Sequence, residues 1–94
     1  MALLGRFTKQ PGETIDYPVD FTDWMAGRTG DSIASYTVTV AAGITIATYV
    51  RVGNLVTVVL SGGTDGVSYK TTVKITTAAG LVKEAEFIVK IKEV

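Results

Sequence analysis

The stretch that decides the fold is SGGTDGVSYKTTVKITT, residues 61–77. Its first half is a corner rich in glycine, the residue that most readily takes positive φ angles. In its second half, bulky side chains recur at every second position: Tyr69, Thr71, Val73 and Ile75. A repeat of two residues is typical of a strand that buries one face. The stretch therefore predicts a tight corner that leads into a half-buried β-strand.

The same alternation runs through most of the chain. Val, Ile and Thr supply 34 of the 94 residues, and these β-branched side chains favour strands over helices. Glycine-containing turns separate the alternating segments, and no segment has a helical period. Pro18 cannot donate to a sheet ladder, which places its strand at an edge. We predict strands at 15–21, 35–40, 44–52, 55–60, 69–76 and 85–92, with a single helical turn or loop at 22–31.

Six or seven short strands at this spacing predict an all-β fold, an immunoglobulin-like antiparallel β-sandwich. Such sandwiches often place a tyrosine near the start of the penultimate strand, with its hydroxyl bonded to the backbone of the preceding corner. Tyr69 has this position, and we expect Asp65 to bond the backbone two residues on. A calcium site would need more carboxylates than this loop has. The predicted structural corner consists of Gly62, Gly63, Asp65, Gly66 and Tyr69.

Composition excludes several classes of function. The chain has no cysteine and no histidine, so it lacks a disulfide framework, a thiolate nucleophile and the commonest metal ligand. Its net charge is zero, whereas nucleic-acid binders normally carry a positive surplus. No apolar run approaches the roughly 18 residues of a membrane span. We therefore expect no nucleic-acid partner and no membrane span.

The carboxylates do not form a catalytic pair. Asp16 with Asp20, and Glu84 with Glu86, are spaced so that each pair lies on the outer face of a strand. Water would keep both members of a pair ionised, whereas acid–base catalysis needs their pKa values pushed apart. We expect no enzyme activity, no cofactor and no metal site.

The amino-terminal residues have no clear place in the predicted sandwich. We divide the chain into an arm, residues 1–12, and a sandwich domain, residues 13–94. The arm is apolar enough to seek burial, either against its own domain or against a neighbouring subunit. Trp24 and Met25 either close one end of the core or anchor a partner. The candidate partner interface is thus Leu3, Leu4, Phe7, Lys9, Trp24 and Met25.

Charge suggests how the edges are arranged. Acidic residues dominate 13–31, whereas lysines dominate the carboxyl-terminal part. If the strand at 15–21 lies beside the last strand, Asp16 and Asp20 come near Lys90 and Lys92. Such exposed pairs contribute under about 1 kcal/mol each and would mainly set register.

Several segments resemble a known family: QPGE (10–13), DFTDW (20–24), SGGTDG (61–66) with Tyr69, and TTAAGLVKEAEF (76–87). They are similar to the small immunoglobulin-like proteins of tailed bacteriophages called fibre-tail adaptors. The resemblance implies a virion structural protein that joins tail and fibre through protein–protein contacts. It further implies several copies in a symmetric assembly, tail, fibre or portal-proximal proteins as partners, and synthesis in the host cytoplasm before incorporation into the virion.

Two other functions remain open at this point. A capsid decoration or head-fibre protein could use the same kind of module. A carbohydrate-binding module of a host-recognition appendage is suggested by Trp24 and the four tyrosines. Sugar binding would require exposed aromatic rings that cluster on one face.

Overall fold

The computed structural model describes the backbone of residues 2–93 and the side chains of residues 5–93. Seven strands and one short helix make up this part of the chain. Their order is β1 (Ala2–Lys9), β2 (Thr14–Asp20), α1 (Thr22–Ala26), β3 (Ile33–Val40), β4 (Ile44–Val52), β5 (Leu55–Gly62), β6 (Ser68–Thr77) and β7 (Val82–Ile91).

The strands form two sheets, one of four strands in the order β1-β7-β6-β3 and one of three strands in the order β2-β5-β4. The prediction of an all-β sandwich is confirmed. The trios β2-β5-β4 and β7-β6-β3 follow the B-E-D and G-F-C orders of immunoglobulin sheets. The first strand joins the last strand in parallel and does not pair with β2. The narrower immunoglobulin-like assignment stays a prediction.

The core lies between the two sheets and is made of the inward side chains of every second residue. Along β6 and β7, burial alternates strictly over most of each strand, as a half-buried strand requires. The central strand β5 contributes three side chains with no exposed surface. The fully buried apolar residues include Val56, Val58, Leu60, Val73, Ile75, Val89 and Ile91.

The predicted arm is corrected by the structure. Residues 2–9 form β1, which pairs in parallel with β7 from Ala2 opposite Ala85 to Lys9 opposite Ile91. This pairing satisfies backbone groups on one side of the segment and buries Lys9. The register shifts between Leu3 and Arg6, around Gly5. That irregularity breaks the two-residue repeat, which is why the sequence did not reveal the strand.

The predicted neighbour of β2 is also wrong. Among the strands of residues 2–93, β2 pairs with β5 alone, in the three-stranded sheet, so Pro18 does lie on an edge strand. The place beside β7 is taken by β1. Asp16 and Asp20 therefore lie on a different sheet from Lys90, and the structure of the described residues contains no ion pair between β2 and β7.

Candidate partner-binding surfaces

The corner at 61–69 is tied together by backbone groups and one hydroxyl. The Tyr69 hydroxyl accepts a hydrogen bond from the Thr64 N–H at 2.9 Å. Gly66 N–H donates to the Ile91 carbonyl at 2.7 Å, and Ile91 N–H donates to the Val67 carbonyl at 2.9 Å. The last two bonds connect the corner to the end of β7, so the geometry of the corner has a structural role.

Two glycines make room for the Tyr69 ring. A Cβ atom on Gly43 would lie 2.9 Å from Tyr69 Cε1, and one on Gly63 would lie 3.3 Å from Tyr69 Cε2. Gly63 has φ +98° and its added Cβ would also lie only 2.5 Å from Ile91 Cγ1. The Tyr69 ring thus packs between the chain segments that contain Gly43 and Gly63. A side chain at Gly43 would collide with the ring, and one at Gly63 would collide with Ile91 and crowd the ring.

Asp65 bonds elsewhere than expected. Its carboxylate accepts a hydrogen bond from Glu93 N–H at 2.9 Å, and no bond to the backbone two residues on is present. The N–H two residues on, that of Val67, donates instead to the Thr64 carbonyl at 3.1 Å, and the chain leaving β7 brings Glu93 N–H to the Asp65 carboxylate. Asp65 therefore holds the carboxyl-terminal end of the described chain.

Two residues of β1 from the candidate interface differ in their exposure. Phe7 is 43% exposed, yet its ring packs against Tyr17 and Phe87 with centroids 5.3 and 5.8 Å away. Lys9 is only 1% exposed, which corrects its expected role as a contact residue. The side chains of Leu3 and Leu4 lie outside the described residues.

The burial of Lys9 follows from the QPGE turn. Its Nζ donates to the carbonyls of Gln10 and Glu13, both at 2.7 Å. These two acceptors replace part of the water shell that the ammonium loses. Burial lowers the pKa of Lys9, and the nearby charge of Glu13 opposes that shift. The buried Lys9 ammonium thus stabilises the turn between β1 and β2 through these two hydrogen bonds.

Trp24 and Met25 close one end of the core. Met25 is buried, so it is not available to a partner, whereas Trp24 is half-buried and packs against the core. The Arg28 guanidinium carbon lies 4.0 Å from the Trp24 ring centroid, and Arg28 Nη1 donates to the Trp24 carbonyl at 3.2 Å. Lys83 Nζ lies 5.9 Å from the same centroid. This geometry is that of a core lid covered by cations.

The aromatic rings do not form a sugar platform. The two large exposed aromatic side chains of residues 5–93 are Phe7 and Tyr49. Phe7 packs at the side of the sandwich formed by β1 and β2, whereas Tyr49 packs on Tyr36 of β3, with centroids 5.8 Å apart. They lie on opposite sides, which counts against the carbohydrate-binding alternative.

Within the described part of the chain there is no pocket and no cluster of three potential metal ligands. Asp16 and Asp20 are exposed, as expected, but Glu86 is not fully solvated. Its carboxylate lies 3.5 Å from Lys70 Nζ, and its side chain is 18% exposed. The carboxylates thus serve as surface charges and ion-pair partners.

Sequence reasoning missed one exposed apolar surface, on the outer side of the three-stranded sheet. Register places Val52 beside Leu55, and Val50 beside Thr57, all on this side. Val52 is 72% exposed and Val50 53%. The signal was present, because outward positions of β4 and β5 carry aliphatic residues where polar ones are usual. The predicted strand boundaries alone did not show which of the two alternating sets of side chains in β4 and β5 faces outward.

Comparison with known proteins gives the family. Residues 9–90 match the family described as Podophage GP4 fiber-tail adaptor protein gp77. A search of curated proteins found no match. No helix in residues 2–93 is long and apolar enough to cross a membrane. Since the match covers well over half of the sequence, the chain belongs to the podophage fiber-tail adaptor family.

Proposed function

We propose that the chain is a non-enzymatic subunit of a phage virion that connects tail and fibre through protein–protein contacts. The family match over residues 9–90 carries this proposal. The partners are then other virion proteins of the tail and fibre, with several copies of the chain in a symmetric assembly. The chain is made in the host cytoplasm before it enters the particle.

The surface of the protein supports an adaptor in two ways. The zero net charge and the absence of a pocket in the described residues favour contacts with protein surfaces over nucleic acid or small ligands. β1 is an edge strand whose second side is not paired within the sheet, and such edges accept strands from partners. Phe7 presents an exposed ring on this edge, so we assign partner contact to Phe7 and to the exposed part of Trp24.

Binding measurements on purified proteins test this assignment. Phe7→Ser is compared with Tyr49→Ser, because the two rings are about equally exposed on opposite sides, at 43% and 45%. We expect the wild-type chain to bind the tail and fibre proteins of its own phage, and Phe7→Ser to weaken at least one of these affinities. Tyr49→Ser should leave both affinities unchanged.

Stability must be measured in parallel, because Phe7 also packs on Tyr17 and Phe87. Binding is therefore compared at a temperature at which both variants are fully folded. Equal affinities of the two variants would exclude Phe7 from the interface. Failure of the wild-type chain to bind any tail or fibre protein would exclude the adaptor function itself.

A further inference from the structure

The outer faces of the two sheets carry opposite charge. On the three-stranded sheet, the outward positions of β2, β5 and β4 include Asp16 and Asp20 but no lysine or arginine. Beside these carboxylates lie the exposed aliphatic side chains of Val50, Val52 and Leu55. We call this surface, Asp16, Asp20, Val50, Val52 and Leu55, the acidic face.

The outer face of the four-stranded sheet is basic around one aliphatic residue. Register places Arg6 and Lys70 on either side of Ile88, and Lys90 lies two residues further along β7. Two carboxylates also lie on the outer side of β7: Glu86, at 3.5 Å from Lys70 Nζ, and Glu84, which register places opposite Lys74. We call the surface formed by Arg6, Lys70, Ile88 and Lys90 the basic face.

We propose that the basic face of one copy of the chain binds the acidic face of the next copy. The spacing of the charges suits this contact. Asp16 and Asp20 are four residues apart on one strand, about 13 Å, and Arg6 and Lys70 are two strand spacings apart, about 10 Å. Ile88 at the centre of the basic face would meet the exposed aliphatic side chains of the acidic face, which otherwise stay in water.

Charge decides against the simpler alternative of two acidic faces in contact. That arrangement would bring the carboxylates of two copies together with no cation on either face, and like charges across an interface are unfavourable. Contact between unlike faces pairs the charges instead. Because the two contacting surfaces differ, the association is head-to-tail and leads to a closed ring or an open filament. The proposal concerns the free chain and does not depend on the adaptor function.

Charge reversal with rescue tests the contact by sedimentation velocity on the whole chain. The acidic face is reversed by Asp16→Lys with Thr57→Lys, and the basic face by Arg6→Glu with Lys90→Glu. Asp20 is left intact because its carboxylate accepts a hydrogen bond from Thr22 N–H. Asp23→Lys with Thr29→Lys is the control, because it makes the same charge change as the acidic-face variant at two exposed residues between β2 and β3, one in α1 and one in the segment that follows it.

We expect the wild type to associate with rising concentration, and a several-fold weaker association at high salt, because screening weakens attraction between the charged faces. Each reversed variant should be monomeric alone, and an equal mixture of the two should associate again. The control variant should behave as the wild type. Monomers in all samples up to about 1 mM would overturn the proposal. So would dimers that survive reversal of the basic face, or a mixture that stays monomeric.

Discussion

Replacing Gly63 by alanine should destabilise the protein strongly, for two separable reasons. At φ +98° an L-residue is strained, which costs roughly 1–2 kcal/mol. The new Cβ would also lie 2.5 Å from Cγ1 and 2.8 Å from Cδ1 of Ile91, whose side chain is fully buried. Such overpacking typically costs about 1–3 kcal/mol. We therefore expect Gly63→Ala to lower the free energy of unfolding by about 2–5 kcal/mol.

The adjacent Gly62 provides a matched control. It has φ +75°, but an added Cβ there would meet no atom within 4 Å. Gly62→Ala should therefore show only the backbone cost, roughly 1–2 kcal/mol. The difference between the two variants isolates the close approach of the corner to Ile91.

Urea unfolding followed by circular dichroism measures both variants, since the free energy of unfolding falls linearly with denaturant in small domains. Thermal unfolding gives a second measure, with about 4–8 °C expected for each kcal/mol in a domain of this size. If Gly63→Ala were no more destabilising than Gly62→Ala, the packing of the corner against Ile91 would be refuted.

Three further predictions concern buried polar groups. Thr71→Val should raise the free energy of unfolding by about 1 kcal/mol, because the Thr71 hydroxyl is buried without a hydrogen-bond partner. Thr77→Val should lower the free energy of unfolding by a similar amount, because the Thr77 hydroxyl accepts a hydrogen bond from Leu81 N–H at 3.1 Å. Tyr69→Phe should lower it by about 1 kcal/mol through loss of the bond from Thr64 N–H. Since burial lowers the pKa of Lys9, the unfolded chain holds that proton more tightly, and stability should rise as pH climbs from the folded pKa toward 10.5. Lys9→Met should lack this part of the pH dependence.

Each of these has a contrary outcome. Equal signs for the two threonine variants would mean that the hydroxyl environments are misassigned. A Tyr69→Phe variant as stable as the wild type would show that the hydroxyl bond contributes nothing to the corner. A pH profile between neutrality and 10.5 that is identical for wild type and Lys9→Met would contradict the burial of the ammonium.

Strands with a strict two-residue repeat were predictable from the sequence. In β6 and β7 the alternation of apolar and polar residues reports burial directly, because successive side chains of a strand point to opposite faces. Pro18 likewise predicted correctly that its strand lies at the edge of a sheet, since proline lacks the N–H that a central strand needs. These features are local, so the sequence contains them in full.

What the sequence did not reveal depends on distant segments. β1 was missed because Gly5 and a register shift interrupt its repeat, and its partner β7 lies at the other end of the chain. Lys9 was taken for a surface residue because the two carbonyls that bind it come together only when the QPGE turn forms. Gly43 and Gly63 enclose the Tyr69 ring from different turns, and no spacing rule connects them.

The most direct test of the adaptor function is cryo-electron microscopy of intact virions of the phage that carries this chain. We predict density for the two-sheet sandwich in several symmetry-related copies at the junction of tail and fibre. The β1 edge with Phe7 should lie against a tail or fibre protein. Density for the sandwich spread over the capsid, or absence of the chain from purified virions, would contradict the proposed function.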